Sequence, residues 1–167
     1  IHGYSMDQGS SIQSVIEKFA IPEIITKTPM DVNFSYEKST ENDNDKDLQT
    51  TYRSLYASLL WINRGTRCDI NYEMVYLGQF IGHATHRLLT ELRRVAQFLW
   101  TTIDDKLVYT KLLDTELCKQ YTDADANLAR DPYTGWSYAS NMHFQYGNLV
   151  QWETLRVQYV EIATAVT

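Results

Sequence analysis

Between His83 and Thr101 the apolar residues Leu88, Leu92, Val95, Ala96 and Leu99 recur at the spacing of a helix buried along one side. His83, Arg87, Thr90, Arg94, Gln97 and Thr101 fall on the opposite side. An apolar stripe of this width is unstable in water alone, so the helix must be packed against others. Two candidates precede it. Asp69 to Ile81 places Ile70, Met74, Leu77 and Ile81 on one face, with Asp69 as N-cap. Tyr52 to Asn63 places Leu55, Leu59 and Ile62 on one face, with Gly65 just past its end. Short connections between the three predict a small helical bundle. Near Asp104 and Asp105 the period changes from 3.6 to 2. Strands are expected at Lys106 to Thr110, Leu117 to Thr122, Trp136 to Phe144 and Leu149 to Glu153, with Gln145-Tyr146-Gly147-Asn148 as a turn. The fold class is therefore α+β: an N-terminal helical bundle followed by an antiparallel sheet.

Toward the N-terminus, Ile12, Val15, Ile16 and Phe19 form another helical face, with Ser10 or Ser11 as N-cap and Pro22 as the stop. Thr28-Pro29-Met30 should be extended, because the residue before proline is biased away from helix. Residues 31–50 hold Glu41, Asp43, Asp45 and Asp47 and read as an acidic, solvated linker of low order. A calcium loop is excluded there, since the central glycine and terminal glutamate of that motif are missing.

The chain of 167 residues carries a formal charge of -6, a poor footprint for a free-standing nucleic-acid binder. No run of about 18 apolar residues predicts a membrane span. The first residues lack signal-peptide character, and a start without methionine fits a fragment. Cys68 and Cys118 read as reduced thiols, and His2, His83, His86 and His143 show no zinc-ligand spacing.

Several blocks together resemble the Pol polyprotein of copia-type retrotransposons. Tyr52-Arg53-Ser54, Ser58-Leu59-Leu60, Thr66-Arg67 and Asp69-Ile70 resemble its YR…SLLY…TRPDI block, with Cys68 in place of proline and Ala57 in place of glycine. Gln8, Ile12, Val15, Ile16, Phe19 and Ile21 are similar to the family's strand-and-helix exit from the reverse-transcriptase palm. Thr28-Pro29-Met30 is similar to its TP[LM] tripeptide. Tyr121-Thr122-Asp123-Ala124-Asp125-Ala126 resembles YSDADWAGD, Thr134-Gly135-Trp136 resembles STSGY, and Leu149-Val150-Gln151-Trp152 resembles the xISW strand. The resemblance implies a palm/thumb-like segment over 1–30, the acidic linker over 31–50, a three-helix thumb/connection-like block over 51–105 and a truncated ribonuclease H-like domain over 106–167. An intracellular setting follows: cytoplasm, virus-like particle or nucleus.

Ribonuclease H chemistry uses two magnesium ions that clamp the attacking and leaving oxygens of a phosphodiester, and the ions need several carboxylates. The resemblance places the first of these at Asp123, with Asp125 in the motif's second position, usually not a ligand. The plainer reading of Asp123 is a polar residue ending a strand. The next ligand would fall fourteen residues after Trp152, where Val166 stands, and Glu161 lies five residues early. The polymerase YVDD hairpin does not occur in the chain. The site is thus vestigial at best: no bound cofactor is expected, Mg2+ being the family's ion, and the isolated chain should not cut hybrids.

Two functional readings remain. One is a non-catalytic polyprotein fragment that associates weakly with an RNA–DNA hybrid and with the rest of Pol. Its phosphate-binding face on the third bundle helix would comprise His83, Arg87 and Arg94, with Arg93 flanking. The other is a derived or decayed retroelement protein that works through protein contacts alone, its charged helix face merely solvated.

Overall fold

The computed structural model describes residues 3–31, 33–34, 45–111, 120–127 and 137–157. The chain divides into two compact units, residues 4–108 and residues 1–3 with 109–167. The class is α+β.

The helical unit begins with strand β1, Gly3–Met6, and helix α1, Gly9–Lys18. Gln8, rather than Ser10 or Ser11, is the N-cap residue of α1, and it makes no side-chain cap bond. Its amide is used elsewhere: the Thr66 hydroxyl donates to Gln8 Oε1 at 2.9 Å. A Cβ on Gly65 would collide with the same Gln8 side chain, which explains a glycine there. The helix stops at Lys18, before Pro22, because Ala20 turns left-handed at φ 47°. The Ala20 and Ile21 amides donate back to the Glu17 and Ile16 carbonyls, closing a Schellman turn.

Helix α2 spans Lys46–Gly65, longer than its apolar pattern suggested. Its start lies inside the acidic stretch. The Asp45 carboxylate caps it by accepting from the Asp47 and Leu48 amides, so the linker reading ends at residue 44. The rest of that linker lies almost wholly outside the described residues. A 3-10 turn, Cys68–Ile70, leads into α3, Asn71–Gly78. Asp69 is not the N-cap expected of it. Ile70 holds that position, because the Asp69 carboxylate is taken by Arg67. Helix α4 spans His86–Thr101, with the Thr85 hydroxyl accepting from the Leu88 amide at its start. His83 therefore lies in the preceding turn and not on the helix.

Leu55, Leu59 and Ile62 of α2, Met74 and Leu77 of α3, and Leu88, Leu92, Val95, Ala96 and Leu99 of α4 are all buried, as their spacing required. Ile12, Val15 and Ile16 of α1 join the same core. Helix α1 packs against both α4 and α2. β2, Leu107–Thr110, pairs with β1 rather than joining the later sheet, as the period-2 reading had it.

That sheet is a three-stranded antiparallel meander of β3 Tyr121–Asn127, β4 Ser137–Gln145 and β5 Asn148–Val157, in chain order. Of the expected strand at Leu117 to Thr122, residues 117–119 lie outside the described residues; β3 begins at Tyr121 and carries the Asp-Ala-Asp sequence in its middle. β4 and β5 meet at Tyr146-Gly147, with φ of 52° and 72°, the two left-handed residues of a tight hairpin turn. A register shift between His143 and Phe144 offsets the pairing beside this turn. Cys118, Thr134-Gly135-Trp136, Glu161 and Val166 lie outside the described residues.

Candidate functional site

Two places carry residues singled out by sequence: the polar side of α4 and the Asp-Ala-Asp strand.

On α4, positions 87, 91, 94, 97 and 101 recur at intervals of three and four and form one stripe. Most of it is covered. The segment 21–31, irregular at first and bent over residues 27–30 where Thr28-Pro29-Met30 was expected to be extended, lies along it as a strap, running from the C-terminal turns of the helix back toward Arg87. The Gln97 side chain donates to the Pro22 carbonyl at 3.2 Å, and the Thr26 amide donates to the Thr101 hydroxyl at 3.1 Å. Arg94 donates to the Thr28 carbonyl at 3.4 Å and to its hydroxyl at 3.2 Å. The Asp31 amide donates to Glu91 at 3.1 Å, which is why a glutamate can be buried on this helix. Beyond the strap, the Arg87 guanidinium lies 5.1 Å from the centre of the Phe34 ring.

The sequence pattern treated His83, Arg87 and Arg94 as one face, and the structure separates them. His83 is exposed in the turn before the helix, Arg87 is exposed at the strap's edge, and Arg94 is half-buried under Thr28. A second stripe was missed. His86, Thr90 and Arg93, at i, i+4 and i+7, are all exposed beside Arg87. The three-and-four spacing from His86 was visible in the sequence, but nothing there showed which polar stripe the strap would cover.

On β3, Asp123 and Asp125 alternate with Ala124 and share a sheet face, both exposed. Asp123 sits opposite Met142 and Asp125 opposite Ser140. Ser140 in turn hydrogen-bonds Thr154 at 2.9 Å, and the Tyr121 and Phe144 rings stack 4.7 Å apart at the end of the same face. Among the described residues no group of three histidines, cysteines or carboxylates could hold a metal ion. Glu153 pairs with Asn141, which in turn faces Ala124, so it lies on the other face of the sheet. These residues do not fit a two-magnesium centre, and no hydrolytic step is assigned to them.

The Thr66-Arg67-Cys68-Asp69-Ile70 block has a structural role instead. Arg67 is buried and grips Asp69 with both arms, at 2.9 and 2.6 Å. It also donates to the Thr102 carbonyl at 3.0 Å and to the Thr102 hydroxyl, tying the α2–α3 connection to the end of α4. The buried Asn63 amide donates to the Arg67 carbonyl at 3.0 Å. Burial pushes the Cys68 thiol up, and Asp69 adds to that, so the thiol stays protonated and unreactive at neutral pH. Four residues after Asp69, Glu73 is pushed up to about 7, first by burial and then by Asp69. Its Oε2 is buried with no hydrogen-bond partner among the described residues.

A scan against protein-family models gives no match. No solved structure matches the chain either. No helix among the described residues is long and apolar enough to cross a membrane.

Proposed function

We propose that this chain is a non-catalytic part of a copia-type retrotransposon reverse transcriptase/ribonuclease H polyprotein, and that it touches the phosphates of an RNA–DNA hybrid through α4. The observation that carries the reading is the exposed stripe His86, Thr90 and Arg93 with Arg87 beside it. It presents cations and a hydroxyl at helical spacing, pointing away from the core. Two or three cations neutralise few phosphates, so binding is weak, indifferent to sequence and sensitive to salt. The remainder of such a polyprotein would supply both active sites and most of the affinity.

The test is a titration of a labelled hybrid with wild type and with Arg87→Ala/Arg93→Ala, each at several salt concentrations. The double variant should bind more weakly, and its log–log salt slope should flatten by roughly 0.9 for each lost contact. Equal affinity and equal slope would reduce the stripe to solvated surface. They would favour the second reading, a derived retroelement protein that acts through protein contacts. That alternative has its own support: Trp61 on α2 is 71% exposed, an unusual place for a large aromatic.

A further inference from the structure

The strap over α4 occupies the groups that a phosphate-binding helix would use. Arg94 and Gln97 donate to Thr28 and Pro22, and the Thr101 hydroxyl, itself donating to the Gln97 carbonyl, accepts from the Thr26 amide. We propose that segment 21–31 is a displaceable mask: it holds the second half of the α4 polar side closed, and an RNA–DNA hybrid takes the strap's place. This rests on the phosphate-binding reading of α4 given above.

Three features make the strap exchangeable. Its bonds to α4 are long, at 3.1 to 3.4 Å, where ordinary N–H···O bonds centre near 2.9–3.0 Å. Its middle has little apolar docking, since Ile24 and Ile25 face solvent at 54% and 82% exposure while Pro29 and Met30 further on are half-buried. Its start is firmly fixed, because Ile21 is buried and closes the Schellman turn at Ala20. A segment pinned at one end and lightly held beyond it can lift without unfolding the helix beneath. The acceptors it offers, the Pro22 and Thr28 carbonyls, are neutral. A phosphate oxygen is charged and forms the stronger bond to a guanidinium.

The experiment uses the full chain and a short fluorescein-labelled RNA–DNA hybrid, read by anisotropy. Thr28→Gly/Pro29→Gly/Phe34→Ala loosens the strap, removes the Thr28 hydroxyl from Arg94 and keeps the Asp31 amide on the buried Glu91 of α4. Hydrogen exchange should show fast amides over 22–30 and retained protection in α4. This released form should bind about tenfold more tightly at low salt, with a slope steeper by roughly 0.9, and adding Arg94→Ala should erase the gain. A second variant guards against misfolding. Thr26→Cys/Thr101→Cys, in a chain with Cys68→Ala and Cys118→Ala, locks the strap when oxidised. The oxidised form should bind more weakly than the reduced form. Released and wild-type chains of equal affinity, or oxidised and reduced forms of equal affinity, would overturn the mask and leave the phosphate reading standing. No hybrid binding by any form, with the strap shown to be open, would overturn both.

Discussion

Arg67 is 3% exposed, and its charge is tolerable there because oxygen meets four of its N–H bonds. Lysine would keep the charge but could not span Asp69 and Thr102 at once. Arg67→Lys should therefore destabilise the helical unit by about 2–4 kcal/mol, read as a lower urea midpoint. A midpoint that hardly moved would mean that the bonds to Asp69 and Thr102 add no net stability. Glu73 acts in the opposite sense. Its carboxyl titrates near 7 in the folded chain against 4.5 when unfolded, so between those values the folded state binds more protons. Stability on this account falls as pH rises from about 4.5 to about 7, and it stays low above that range. Glu73→Gln should remove that slope and raise stability at pH 8 by on the order of 1–3 kcal/mol. Parallel stability–pH curves for the two proteins would refute the assignment. The strap's residue-level partners were not legible in sequence. Arg94 reads as a free cation in any helical projection, and only the packed chain shows Thr28 lying across it.

At the scale of elements, α2 serves as the cap of its neighbour. The Tyr56, Tyr52 and Arg53 side chains donate in turn to the carbonyls of Met74, Leu77 and Ile81. Gln49 both donates to and accepts from the backbone of Ala84. These side chains recur at i, i+3, i+4 and i+7 on one face of α2, and they bring donors to carbonyls at the end of α3 and in the turn after it. Burial pushes the Tyr52 hydroxyl far up, and Tyr56 adds to the shift, so the hydroxyl is a permanent donor. Tyr52→Phe keeps the packing and removes one of two donors to the Leu77 carbonyl, the Phe80 amide being the other. It should cost about 0.5–1.5 kcal/mol, measurable as a lower melting temperature with unchanged far-ultraviolet dichroism. An unchanged melting temperature would mean that water replaces the hydroxyl without loss. Gly78 fits the same scheme, since a Cβ there would strike the Tyr56 hydroxyl. The polar residues of the Tyr52-Arg53 block thus have a structural reason to be there, independent of any family resemblance.

At the scale of the whole molecule, what the sequence determined by itself was periodic. The α4 core stripe, the apolar faces of α1, α2 and α3, the change of period after Asp105 and the turn at Tyr146-Gly147 all follow from neighbours along the chain. Element ends were less certain, because a cap depends on where a side chain is spent. Asp69 goes to Arg67 and does not cap as its type would suggest, while Gln8, whose type suggests no cap, holds the N-cap position of α1 with its amide spent on Thr66. The pairing of β2 with β1 joins residues from opposite ends of the helical block, and no local pattern encodes such a partner. The division of the α4 polar side into a covered and an open stripe was likewise decided only in three dimensions. Its bonds link residues 60 to 75 positions apart, Asp31 to Glu91 at one end and Pro22 to Gln97 at the other. A separation of that length leaves no periodic trace, because the strap's affinity for α4 lies in single backbone amides and carbonyls that every residue type carries.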